Sequence, residues 1–198
     1  MTTVEITDIL CDFLEVSIHN ILYTRKLYPE AIFTPRKKYG VTVYQSEHPI
    51  LNEYITQVLK AAQAHAQNNQ LKQIILCIRS DKVLVEKYIF DVIQFENKST
   101  ESDSLFGQLE QTLRHFCLKL SNSIHGLKPL SSQSEFDIIL HTTEFSAVAF
   151  NEEQEQKEFP WLPVNQIEFN TLGIVPIHSI DTDKLVMQIY FEECDDKS

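Results

Sequence analysis

Five consecutive apolar residues, Ile74 to Ile78, constrain the fold of this chain more than any other stretch. A run of this kind predicts a β-strand that is covered on both faces, because a half-exposed strand would alternate apolar and polar residues. Ser80-Asp81-Lys82 then predicts a turn, and residues 83–95 predict a second strand. The two strands are expected to form a hairpin at the centre of a sheet.

Two amphipathic helices are predicted before this hairpin. Within residues 4–27 the apolar side chains recur every three or four positions, and Tyr28-Pro29 is expected to end that helix. The second helix is expected to begin at His48-Pro49, because proline at the first helical position sacrifices no hydrogen bond. Ser46 is a nearby candidate for its N-terminal cap.

A third helix and a further strand complete the predicted core. Ser102 or Asp103 is expected to cap the helix, whose apolar stripe includes Leu113 and Phe116. Residues 136–142 predict a strand. The pattern therefore predicts the α+β class, with about three helices packed against an antiparallel sheet.

The last third of the chain, from Glu144 to Glu193, has strand-like patches but no apolar stripe of helical length. It contains the single tryptophan, Trp161, and ends in the largely apolar run Leu185 to Phe191. This segment is too apolar for a disordered linker, so we expect it to pack on the core. The expected organisation is one domain over residues 1–198, with a core at 1–143 and an appended C-terminal region at 144–198.

Composition argues against several classes of function. The formal net charge is -11, which disfavours direct binding to nucleic acid, and the basic triplet Arg36-Lys37-Lys38 is interpreted as a solvated loop. The four cysteines lack metal-ligand spacing, which indicates a reducing compartment, cytosol or nucleus. The sequence predicts neither a membrane span nor a signal peptide.

No catalytic or metal-binding motif emerges from the sequence. The four glycines are isolated, so they form neither a P-loop nor a dinucleotide-binding fingerprint. His115 and Cys117 are expected to point apart on a helix, and His141 and Glu144 to lie on opposite faces of a strand end. We therefore predict no enzyme activity, no metal site and no cofactor.

Trp161 has two interpretations that the sequence leaves open. A lone tryptophan is usually a core residue. This one stands between Pro160 and Pro163, and aromatic residues in such surroundings line grooves that hold proline-rich peptides.

Short motifs spread along the chain resemble the HORMA-domain adaptor subunits of translesion DNA polymerase zeta. They are Leu10 to Val16, Ile32-Phe33 with Arg36 to Tyr39, His48-Pro49 through Tyr54-Ile55, Ser102 to Leu105, Leu113-Arg114 with Phe116, Phe159 to Trp161, and Met187 to Tyr190 with Glu192-Glu193. The Arg-Lys-Lys-Tyr and Phe-Pro-Trp stretches distinguish this subfamily from its spindle-checkpoint relatives.

The resemblance implies a non-catalytic adaptor whose C-terminal "safety belt" closes over a partner peptide. In this subfamily the peptide has spaced prolines and belongs to the catalytic subunit of polymerase zeta. Tyr54 and Trp161 match the residues that hold the prolines. Ile174, Gln188 and Tyr190 match the surface for the C-terminal domain of a scaffold-type translesion polymerase. Arg114 matches a position used in homodimers or heterodimers of HORMA proteins.

The resemblance also implies a nuclear protein of DNA damage repair, with mitotic checkpoint roles in some members. Three alternatives remain. The first is a spindle-checkpoint or meiotic HORMA protein that binds a different closure motif. The second is an enzyme whose site is assembled only by the fold, and the third is a scaffold that binds through its core sheet alone.

Overall fold

The computed structural model describes residues 6–38, 40–95, 103–124, 127–143, 171–181 and 185–194. The α-helices in these ranges are α1 (Ile6–Thr24), α2 (Pro49–Gln67) and α3 (Asp103–Ile124). The strands are β1 (Phe33–Lys38), β2 (Val41–Ser46), β3 (Leu71–Ser80), β4 (Val83–Phe95), β5 (Ser134–Thr142), β6 (Thr171–Asp181) and β7 (Leu185–Cys194).

The main sheet has five antiparallel strands in the order β5-β3-β4-β7-β6. Strands β1 and β2 form a separate two-stranded sheet. The basic triplet Arg36-Lys37-Lys38 lies in β1, so its interpretation as a loop is wrong. The α+β class, the three helices and the central β3–β4 hairpin are confirmed. The strands from the last third of the chain lie in the main sheet, with β7 paired directly to β4.

The apolar run in β3 is buried from both sides, as its sequence predicts. Ile74, Leu76 and Ile78 join the main core on the helix-covered face. Ile75 and Cys77 join a smaller apolar cluster on the opposite face. Each face of a strand is set by the twofold alternation of its side chains, so an unbroken apolar run requires cover on both.

Helix α1 ends at Thr24, earlier than Tyr28-Pro29 would place its end. Lys26 has a φ of 54°, and the N–H of Leu27 donates to the carbonyl of Leu22. This left-handed cap satisfies carbonyls at the end of the helix. The local backbone, rather than the proline, therefore stops α1.

Ser46 is not the N-cap of α2, so that prediction is wrong. The cap is His48, whose Nδ1 accepts a hydrogen bond from the N–H of Leu51. Ser46 lies two residues before His48, and its hydroxyl accepts a hydrogen bond from the N–H of His48. An imidazole nitrogen replaces the usual hydroxyl or carboxylate oxygen at this helix start.

The C-terminal strands β6 and β7 lie on the side of the main sheet opposite β5. Strand β5 forms one edge of the sheet, and β6, the next described strand along the chain, forms the other. Four inter-strand spacings, roughly 19 Å, separate these edges. Leu185 and Met187 of β7 are fully buried in the main core. Within the described residues, every helix is too short or too polar to span a bilayer.

Candidate peptide-binding and partner-binding surfaces

Strand β5 forms one edge of the main sheet, and Tyr54 lies against it. The backbone N–H of Ile138 donates to the Tyr54 hydroxyl at 3.2 Å. In an antiparallel strand, the N–H and C=O of one residue point to the same side. This bond therefore shows that Ile138 directs its backbone groups away from β3. By the same alternation, Phe136 and Leu140 direct theirs to the outer edge, where the described residues supply no strand partner.

Three aromatic rings gather beside this edge. Tyr54 meets Phe136 edge to face at a centroid distance of 5.6 Å, and Tyr28 meets the same ring at 6.2 Å. Burial raises the pKa of the Tyr54 phenol, and the hydrogen bond from Ile138 offsets part of that rise. The edge thus combines open backbone groups with an apolar aromatic wall.

The structure locates one of the two residues predicted to bind the peptide. Tyr54 projects from α2 onto the β5 edge. Trp161 lies outside the described residues. Phe136 and Tyr28 complete the aromatic group, and no sequence motif predicts either as a binding residue. Their proximity depends on the pairing of β5 with β3, which no local pattern encodes.

The three residues predicted to bind a second partner are brought together. Ile174, Gln188 and Tyr190 line one concavity of about 560 Å³ on β6 and β7. Cross-strand pairing explains the grouping, since Tyr190 faces Pro176 on β6 and Ile89 on β4. Ile189 and Phe191 of β7 point into the core on the helix-covered face. Because side chains alternate along a strand, Gln188 and Tyr190 lie on the opposite face.

Strand β6, whose Ile174 lines this concavity, is unusually apolar for an exposed edge. Leu172 is 60% exposed, Ile174 62% and Val175 41%. Single exposed apolar residues are ordinary, whereas neighbouring ones on an edge strand indicate a contact surface. We define the β6–β7 surface as Leu172, Ile174, Pro176, Gln188 and Tyr190.

Arg114 lies on α3 and does not line this concavity. Its side chain is mostly exposed and forms an ion pair of 3.5 Å with Glu110, one helical turn earlier. The same helix packs on β6, where the His115 and His178 rings stack at 5.0 Å and Lys119 Nζ donates to the Pro176 carbonyl. Arg114 therefore presents its charge on the exposed side of a well-anchored helix.

The described part of the chain offers little for catalysis. Burial raises the pKa of Cys11 to about 12 and those of Cys77 and Cys117 to about 11, which keeps these thiols protonated and poorly nucleophilic. No group of three or more His, Cys, Asp or Glu side chains suited to a metal ion occurs among the residues described.

Comparison with known proteins agrees with this architecture. The HORMA domain model matches residues 7–142. Human "Mitotic spindle assembly checkpoint protein MAD2B" is 36% identical over 191 residues, covering 95% of this chain and 90% of that protein. "DNA polymerase zeta subunit 2" of Drosophila melanogaster is 28% identical over 188 residues, covering 92% of this chain and 94% of that protein.

Solved structures show the same fold at lower identity. A chain of the mitotic checkpoint complex superimposes with a TM-score of 0.76 at 18% identity, covering 94% of this chain and 97% of that one. HTP-2 bound to HTP-3 motif-6 gives 0.68 at 13% identity, covering 94% and 89%. The chain belongs to the HORMA-domain family, and its relatives include MAD2B and DNA polymerase zeta subunit 2.

Proposed function

We propose that this chain is a non-catalytic adaptor of translesion DNA polymerase zeta. In this proposal it holds a proline-containing peptide of the catalytic subunit at the β5 edge, enclosed by residues 144–198. It bridges that peptide to the C-terminal domain of a scaffold-type translesion polymerase. The names of the relatives and their coverage along nearly the whole chain support this assignment. Its site of action would be the nucleus, in DNA damage repair.

The observation that carries the proposal is the outer edge of β5 beside Tyr54. Phe136 and Leu140 offer outward backbone N–H and C=O groups at this edge. An extended peptide that adds to a sheet edge gains main-chain hydrogen bonds, while pockets for its side chains supply specificity. Between these two residues, the Ile138 N–H already donates to the Tyr54 hydroxyl. A peptide would therefore form its main-chain hydrogen bonds with Phe136 and Leu140.

The aromatic wall favours a peptide that contains proline. Prolines pack well on aromatic faces, and the extended backbone that they prefer costs little entropy to immobilise. Proline also lacks an N–H, so it suits a peptide position that makes no ladder bond. Tyr54 provides such a position, because its hydroxyl already satisfies Ile138.

The path of the chain supports enclosure of the ligand. Strand β5 forms the edge where the peptide would bind, and β6, the next described strand along the chain, forms the opposite edge. The proposed division is a core at 1–143 and a belt at 144–198 that includes Trp161. A ligand held under a covalent loop leaves only when the loop opens, so affinity should appear mostly as a slow off-rate.

The β6–β7 surface is the proposed docking site for the second polymerase. It lies at the opposite end of the sheet from β5, so two partners can bind without overlap. Arg114 is proposed to contribute to pairing with a second HORMA protein, of the same or another kind. Its exposed position on α3 leaves it accessible for that contact.

A checkpoint function is the competing proposal, because the relatives at 34–36% identity are named mitotic spindle assembly checkpoint proteins. In that case the same β5 edge would hold a different closure motif. The two proposals differ in the peptide and share the edge, so peptide identity discriminates between them.

The deciding experiment measures peptide dissociation. A proline-spaced peptide from this organism's polymerase zeta catalytic subunit is bound to the wild-type chain and to Tyr54→Ala, Trp161→Ala and the control Glu53→Ala. Glu53 is an exposed neighbour on α2, so its removal should leave dissociation unchanged. Slow release that becomes fast in both aromatic variants supports the adaptor.

Two results would count against it. If the folded wild-type chain does not bind the peptide, the adaptor proposal fails and the checkpoint proposal is favoured. If binding is unaffected by Trp161→Ala, the tryptophan is a core residue and the proposed role of Trp161 is wrong.

A further inference from the structure

The concavity on β6 and β7 contains an acidic group that the family resemblance did not single out. Asp91 of β4 lines it together with Ile174, Gln188 and Tyr190. Asp91 is the direct cross-strand neighbour of Gln188, and Tyr190 follows two residues along β7 on the same face. The carboxylate therefore lies within one sheet position of two predicted contact residues.

The other acid that lines this concavity, Glu192, is already paired. Lys87 Nζ contacts Glu192 Oε2 at 2.8 Å, and both side chains are largely buried. Asp91 makes no ion pair within the described ranges, and neither its carboxylate nor the Gln188 amide has a hydrogen-bond partner there. The concavity thus holds one uncompensated negative charge.

The negative charge of Asp91 acts on the neighbouring Tyr190 phenol. Burial raises the pKa of its phenol, and the negative charges of Asp91 and then Glu192 raise it further. The ring and the carboxylate are therefore close enough to interact electrostatically. A carboxylate beside an aromatic ring and exposed aliphatic side chains suits a long basic side chain, whose stem packs on apolar surface while its head binds the acid.

We propose that Asp91 is a specificity-determining contact of the second partner, receiving an arginine or lysine that packs beside Tyr190 and Ile174. The inference rests on the proposed function, since it assumes that a protein partner docks on the β6–β7 surface. Charge complementarity favours a basic contact region, because the chain as a whole carries a net charge of -11.

The test uses the full chain and the C-terminal domain of this organism's scaffold-type translesion polymerase. Its dissociation constant is measured at low and at high salt for wild type, Asp91→Asn, Asp181→Asn and Tyr190→Ala. Asp181 is an exposed acid of β6 that does not line the concavity, so Asp181→Asn controls for the loss of one negative charge. Thermal unfolding and binding of the polymerase zeta peptide confirm that each variant is folded.

We expect Asp91→Asn to weaken binding by roughly tenfold at low salt and to reduce the salt dependence. Asp181→Asn should stay within about twofold of wild type, since isolated surface charges contribute little. The inference is overturned on its own if Asp91→Asn binds like wild type while Tyr190→Ala loses binding. If the wild-type chain does not bind the domain at all, the bridging function and this inference both fail.

Discussion

The two edges of the main sheet differ in what they offer a partner. At β5 the backbone of Phe136 and Leu140 points outward, and the Tyr54 hydroxyl accepts a hydrogen bond from the intervening Ile138 N–H. At β6 the edge includes Pro176, which has no N–H to donate. A bulge follows Pro176, and Lys119 occupies its carbonyl.

This difference predicts two modes of recognition on one sheet. Proline, a bulge and a lysine are devices that oppose the addition of a strand, so the β6 edge should bind through side chains alone. The β5 edge lacks proline and can accept a peptide as a further strand. The proposed peptide and the proposed second partner would therefore not compete for one surface.

The largest expected effect is on the stability of the core that supports both sheet edges. Arg25 forms a buried ion pair with Glu86 of β4, and its Nε donates to Glu86 Oε2 at 2.9 Å. Arg25→Ala would leave a buried carboxylate without its cation, at a cost of about 3–5 kcal/mol in unfolding free energy. Chemical denaturation measures that cost. Both partners should lose binding only in proportion to the unfolded fraction, and a loss confined to one edge would show that the edges do not share this core.

A smaller effect on the stability of this core is its dependence on pH. Burial lowers the pKa of His19 from 6.5 to about 4. Between these values the unfolded chain binds a proton that the folded chain does not, so stability falls as pH falls from 6.5 toward 4. The slope is about 1.4 kcal/mol per pH unit for one such group.

Denaturation at pH 7, 6 and 5 measures this slope, and His19→Gln should flatten it. His65 and His178 also have lowered pKa values and act in the same direction, so part of the slope should survive in the variant. An unchanged slope in His19→Gln would rule out His19 as its source.

Tyr54→Phe separates the hydroxyl from the ring at the β5 edge. It leaves the Ile138 N–H without its acceptor, which should cost about 1 kcal/mol of stability. The aromatic wall remains, so peptide release should stay within about threefold of wild type, whereas Tyr54→Ala accelerates it strongly. Surface plasmon resonance measures the off-rates. If Phe behaves like Ala, the hydroxyl rather than the ring holds the peptide.

Ile174→Ser should have the smallest effect on stability and a selective effect on binding. Its side chain is 62% exposed, so unfolding free energy should change by less than about 0.5 kcal/mol. Binding of the second polymerase should weaken while peptide release stays unchanged. Parallel assays with both partners make the comparison, and an equal change at both edges would contradict their independence.

Local patterns predicted most of the elements but not their assembly. The apolar stripe of α1 and the run in β3 each follow from residue spacing, and both are buried as expected. The insertion of β7 between β4 and β6 does not, because strand order depends on pairing between distant segments. The sequence did not predict Phe136 or Asp91 as site residues for the same reason, because each joins its site only through pairing with another strand.

Two local errors have a conformational cause. His48 rather than Ser46 caps α2, because an imidazole nitrogen can accept the same hydrogen bond that a hydroxyl usually accepts. Helix α1 stops before Tyr28-Pro29 because Lys26 adopts a left-handed φ, which is rare for a residue other than glycine or asparagine. The end of α1 also depends on a tertiary contact that the local sequence does not show, the ion pair of Arg25 with Glu86.

The pairing of β4 with β7 also has a consequence during synthesis. Phe90 of β4 meets Ile189 of β7, about a hundred residues later in the chain. Until β7 leaves the ribosome, β4 is an edge strand with an open ladder and exposed apolar side chains. The nascent chain therefore passes through a long interval in which β4 is paired with β3 on one side only, and chaperones that shield such open edges should govern how much folded protein a cell obtains.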